Sequence, residues 1–207
     1  MEDKKITEIE SIEIISTMIN RTRERYLGSG NIMLMWGYLV VIATVLVWVM
    51  LDTTHNGDWN WLWFAIPVVG GIATPIMARK EKEQKRVTTY SDMITSKLWT
   101  IFGLSEGVLI LMCLVAQLGF GVNCWIAMMV YSFIVAAFAE IVEGIIIREK
   151  SLVVGGSLGL LLGMVMLCCS LAGVPMYANI FLPMFMLGFV CMMIIPGHVI
   201  NYKARRK

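Results

Sequence analysis

WIAMMVYSFIVAAFAEIVEGIIIREK, residues 125–150, decides the fold. It opens on Trp125, stays apolar through Ile147 with few interruptions, and stops at Arg148 and Lys150. A helix needs roughly 20 such residues to cross a bilayer. An indole at one end and cations at the other match the two membrane interfaces. Working outward, six runs have this form, near 31–51, 59–78, 98–119, 123–147, 151–173 and 178–200. The 207 residues are 58% hydrophobic and 15% charged, with mean hydropathy +0.74, which leaves too little polar surface for a soluble domain. The expected fold is all-α and polytopic: a six-transmembrane-helix bundle over residues 31–200, preceded by a charged segment at 1–30 and followed by a basic tail at 201–207.

The net charge of +2 conceals a complete segregation. All 17 Lys and Arg residues precede the first run, lie between the second and third or the fourth and fifth, or follow the sixth. The alternate loops, DTTHNGD at 52–58, QLGFGVN at 117–123 and AGVPMYAN at 172–179, contain none. The positive-inside rule therefore places both termini in the cytoplasm. The 30 residues before the first run are charged, so no cleavable leader is expected. Trp48, Trp59, Trp61, Trp63 and Trp125 fall at outer span ends and Trp36 and Trp99 at inner ends, where interfacial anchoring would account for all seven. Cys113, Cys124, Cys168, Cys169 and Cys191 lack metal-like spacing and read as small apolar residues, with a bond from Cys124 to Cys168 or Cys169 as the alternative.

Residues 6–26 read as an amphipathic helix. Ile6, Ile9, Ile12, Ile15 and Ile19 recur at three and four, giving one stripe that would dock on a cytoplasmic protein partner or on the bundle itself, with lying on the membrane surface as the alternative. Its polar face is acidic to Glu13 and basic from Arg21, unlike the uniformly basic face of a lipid-surface helix. Residues 79–92, RKEKEQKRVTTYSD, read as a solvated charged loop and contain no glycine-rich phosphate loop. No nucleic acid, metal or cofactor is expected. In the fifth run Gly155, Gly159 and Gly163 repeat every four residues, removing side chains from one stripe so that another helix can approach. Gly103 and Gly107 do the same on the third. The fifth-run stripe would serve packing within the bundle or a homodimer.

Four ionisable residues fall within runs: Glu106, Glu140, Glu143 and His198. At about 1.5 Å per residue, Glu106 is roughly 13 Å beyond Lys97 and Glu140 roughly 12 Å from Arg148. Glu143 and His198 are each roughly 7 Å from the nearest cation. Glu106 and Glu140 thus come out at one level on adjacent helices, and Ser132, Ala136, Glu140 and Gly144 form a small or polar stripe that should face protein. A buried ionised carboxylate costs about 3 kcal/mol on insertion scales, so one of the pair is expected to be protonated or to share a proton. The expected function is non-enzymatic: a proton, cation or small solute handled in a carboxylate pocket open to the cytoplasm, with Glu143 and His198 nearer its mouth. The alternative is a membrane sensor or scaffold signalling through residues 6–26. A remote third is an intramembrane hydrolase. Gly155-Gly156-Ser157-Leu158-Gly159 fits G-x-S-x-G at the depth of His198, but that motif belongs on a strand–turn–helix.

The stretch ISTMINRTRERYLGSGNIMLMWGYLVV, residues 15–41, resembles the start of a family of small bacterial multipass inner-membrane proteins. There an amphipathic helix leads through a basic turn to a Trp-Gly early in the first span, matched here by Trp36-Gly37. The resemblance implies a bacterial inner membrane and carries over no site residues.

Overall fold

The computed structural model describes Glu13 and residues 30–84 and 90–206; the isoleucine stripe at Ile6, Ile9, Ile12, Ile15 and Ile19 lies outside the described residues. The described residues are helical, with six segments long and apolar enough to cross a membrane. Helix α1 is Asn31–Thr54, and a 3-10 segment, Gly57–Phe64, leads into α2, Ala65–Gln84. Helices α3, Tyr90–Phe120, α4, Trp125–Ile146, and α5, Lys150–Leu171, follow. The sixth span is broken into α6, Ala178–Phe189, a π-helical segment, Val190–Ile194, and α7, Ile195–Arg205. Pro196 explains the break. It supplies no amide proton to the preceding turn, and a widened turn is one way a helix accommodates that loss.

Glycines seat this broken span among α1, α4 and α5. A Cβ built at Gly155 would run into the Cys191 carbonyl and lie 2.9 Å from Pro196 Cγ, and one at Gly159 would lie 2.9 Å from Met192 Sδ. On α1, a Cβ at Gly37 would meet Ile194 Cγ1 at 2.8 Å. Gly188 on α6 lies against the Phe133 ring of α4. Gly163 abuts Ile134 and Phe133, and Gly156 abuts Ala137 and Ile141, so α5 lies flush on α4 over its length. The Gly155, Gly159 and Gly163 stripe is therefore filled from within the chain. Gly103 and Gly107 differ: a Cβ at either meets nothing within 4 Å.

The remaining helices are peripheral. In the most apolar stretches of α2 and α3 only 6% of residues are buried, against 44% in α4 and in the sixth span. Helix α2 docks on α1 and α3 docks on α4, and Trp63 and Phe64 of the 3-10 segment share a cluster with Cys113 of α3. Trp36-Gly37 is the hinge of the first contact. The Trp36 indole lies on Gly70 and donates to Thr74 Oγ1 at 2.9 Å, while Gly37 turns to the sixth span. Trp48 donates to Asn179 and Trp63 to Asn60, so these tryptophans have protein partners and interfacial anchoring is not a sufficient account of them.

At the end of the bundle carrying every described Lys and Arg, Gly30 N–H donates to Asn201 Oδ1 at 2.8 Å and Asn201 Nδ2 donates to Asn31 Oδ1 at 2.8 Å. Helix α4 turns directly into α5 there. The amide of Glu149 donates to Gly144 O and that of Arg148 to Ile145 O, with Arg148 left-handed at φ 56°. These two bonds make the helix-ending Schellman pattern. Glu149 then caps α5 through Ser151 and accepts from Lys203 at 2.7 Å, tying this turn to α7.

Candidate functional site

Helix α4 is the organising element. Phe133 and Ala137 face the sixth span and α5, and Ser132 and Glu143 face α3. Between them, Ala136 and Glu140 point inward; Glu140 is 0% exposed. Neither carboxyl oxygen of Glu140 has a hydrogen-bond partner. Glu143, one turn on and the ionisable neighbour acting on Glu140, accepts from Trp99 Nε1 of α3 at 2.8 Å.

Glu106 reaches α4 at a different level. Its Oε2 accepts from Ser132 Oγ at 2.5 Å, and Oε1 is buried without a partner. Ser132 precedes Glu140 by eight residues, about 12 Å along the helix. Glu106 and Glu140 therefore do not share a level. Opposite Glu140 stands the Trp99 turn of α3, as the Trp99–Glu143 bond shows. The cause is the hairpin. Fourteen residues separate Glu106 from the end of α3 but only seven separate Ser132 from the start of α4, and Trp99 and Glu143 stand twenty-one and eighteen residues from the same ends, so α3 overhangs α4 by roughly 5–10 Å. The four residues 121–124 can span that distance when extended. Gly121, left-handed at φ 67°, starts the descent.

His198 is not with the carboxylates. It lies exposed on α7 and hydrogen-bonds Tyr38 Oη of α1 at 2.8 Å through Nε2. Ser157 is exposed on α5, and among the described residues the side-chain partner of His198 is Tyr38. The five cysteines are free; Cys124 packs with Cys113 across the α3–α4 hairpin rather than with Cys168 or Cys169. A groove of about 420 Å³ opens between Leu104, Val108 and Met112 of α3 and Tyr131 of α4, but its lining is almost wholly apolar.

Two polar side chains missing from the sequence reading belong with the carboxylates. Thr95 Oγ1 and Gln117 Oε1 on α3 are buried and unpartnered, like Glu106 Oε1. Thr95, Trp99, Glu106, Cys113 and Gln117 step along α3 at intervals of four or seven, which keeps them on one face. That spacing was open to inspection, but uncharged residues in an apolar helix draw no notice until their partners are known to be lacking. No family model, curated protein or solved structure matches the chain, and its function has to be read from these side chains.

Proposed function

We propose that the chain is an integral membrane protein of a bacterial inner membrane, crossing it six times with both termini in the cytoplasm, and that it loads and releases a proton or cation at Glu140 without catalysing a reaction. The six apolar helices and the one-sided Lys and Arg support the topology. The observation that carries the function is Glu140 itself: fully buried on α4, with two carboxyl oxygens and no partner. An ionised carboxylate there would cost about 3 kcal/mol or more, and neither oxygen has a hydrogen-bond partner to offset it. A group so placed rests as the neutral acid and ionises only when water or an ion reaches it. A carboxyl without exposed surface suits a proton or bare ion better than a larger solute.

Infrared difference spectroscopy of the protein in nanodiscs tests this. The C=O stretch of a protonated carboxyl should persist at neutral pH and vanish in Glu140→Gln. Its absence from the wild-type protein would mean Glu140 is solvated and the site is lost. The second reading, signalling through residues 6–26, is favoured by the clamp of Gly30 onto Asn201, where that segment joins the bundle. It requires that deleting the segment abolish function while Glu140→Gln leaves it intact.

A further inference from the structure

We infer that the α3–α4 seam is a proton route across the whole thickness of the bundle, with Glu140 and Glu106 as its two relay carboxyls. This rests on Glu140 being a loadable site and goes further in naming the substrate and the path.

The proton is favoured over a metal cation by ligand supply. Hard cations take six or more oxygens. Glu140 offers two, no other polar atom lies within bonding distance of them, and among the described residues no three His, Cys, Asp or Glu side chains stand close enough to share an ion. A proton needs one oxygen.

The path is favoured by the placement of the unpartnered atoms. Thr95 Oγ1, Glu140 Oε1 and Oε2, Glu106 Oε1 and Gln117 Oε1 are all buried and unpaired, and all belong to α3 or to the α4 face between α3 and the sixth span. Buried polar atoms normally find partners, and each left unmade costs about 1–3 kcal/mol. Three of these side chains share one face of α3 and Glu140 borders it on α4, marking a line where water belongs. Thr95 and Gln117 are twenty-two residues apart, about 33 Å along the helix, which matches the roughly 30 Å hydrocarbon core. Glu143, held by Trp99, stands beside Glu140 toward the basic end, and Ser132 links α4 to Glu106 toward the other. The interval between Glu140 and Glu106 is lined on α4 by Ala136, whose single methyl leaves the least obstruction a side chain other than glycine can.

Purified full-length protein in liposomes carrying an internal pH dye, driven by a valinomycin-imposed potassium potential, should acidify or alkalinise at least tenfold faster than empty liposomes. Glu140→Gln and Glu106→Gln should each return flux to the empty-liposome rate, and Glu106→Asp should retain most of it. The isosteric Gln117→Met should slow it severalfold. Each variant is first shown to keep its thermal unfolding midpoint. Wild-type flux in Glu106→Gln would overturn the route. So would absence of flux in the wild-type protein when the Glu140 infrared band is present, since Glu140 would then load from one side only. Absence of that band would instead remove the site on which the route rests.

Discussion

Replacing Gly155 by Ala and, separately, Gly103 by Ala asks whether the same sequence spacing has the same physical content in two helices. At Gly155 the added methyl meets the Cys191 carbonyl, Pro196 Cγ at 2.9 Å and Met192 Cα at 3.2 Å. Two of these belong to backbone and the third to a ring, so none can swing aside, and the cost lies toward the top of the roughly 1–3 kcal/mol of overpacking. Alanine returns up to about 1 kcal/mol of helix propensity. The net expectation is a loss of about 2 kcal/mol. At Gly159 the nearest atom is Met192 Sδ at 2.9 Å, the flexible end of a side chain, and Gly159→Ala should lose less than Gly155→Ala. At Gly103 the methyl meets nothing within 4 Å, and the change should be neutral or stabilising by up to about 1 kcal/mol. Reversible unfolding in mixed micelles of rising SDS fraction measures all three. The order Gly155, Gly159, Gly103 from most to least damaging is required. A Gly103→Ala loss equal to that of Gly155→Ala would mean α3 is covered by a partner helix. A neutral Gly155→Ala would mean α5 is not seated on the broken sixth span.

Two further expectations concern the turn between α4 and α5. Burial pushes the Glu149 carboxyl up, but hydrogen bonds from Lys203 and Ser151 more than reverse this and hold it below the ordinary carboxylate range. A carboxyl lowered by folding contributes stability that is complete above its unfolded value, roughly 4.3, and is lost as pH falls through the folded one. Glu149→Gln should therefore lose about 1 kcal/mol at neutral pH, because the half-exposed Lys203 makes only a modest pair, and the difference from wild type should close in acid; an unchanged gap would refute the pairing. Arg148→Gly should stabilise by about 1 kcal/mol in the same unfolding assay, since it relieves a left-handed non-glycine residue, and a loss would show that the Arg148 side chain contributes more than its backbone strain costs.

The element pattern was legible because two independent signals, apolar length and cation placement, agree along the whole chain. The site was legible only in part. Glu140 and Glu143 were found as charges in an apolar run, but their relation to Glu106 depended on placing Lys97 and Arg148 at one level, and a helix offset leaves no mark in composition. Glycine spacing reports that a stripe lacks side chains and is silent on whether a neighbour occupies it, which is why Gly155 and Gly103 look alike in sequence and differ in surroundings. Gly121 and Gly173, left-handed at helix ends, were readable as terminators; Arg148 and His55 take the same conformation with nothing in their residue type to announce it. The tryptophan N–H partners were hidden for a similar reason. An indole near a span end suits the interface so well that a specific acceptor, Glu143 or Thr74, is not called for.

The two faces of α4 differ in a way that bears on how the seam could be wetted. Toward α5 the contacts are close and glycine-lined. Any separation on that face would open an apolar void at a cost. Toward α3 the balance is reversed. Helix α3 packs chiefly on α4, with Trp63 and Phe64 of the 3-10 segment joining its Cys113 in one cluster, and much of its surface is exposed apolar side chain. A small displacement of α3 would admit water to Thr95, Glu140, Glu106 and Gln117, so the cost of parting the helices would be offset by hydrogen bonds these atoms otherwise lack. The polar seam thus coincides with an interface far less extensive than that of α4 on α5. The packed half of the molecule supplies the fixed wall against which Glu140 is held.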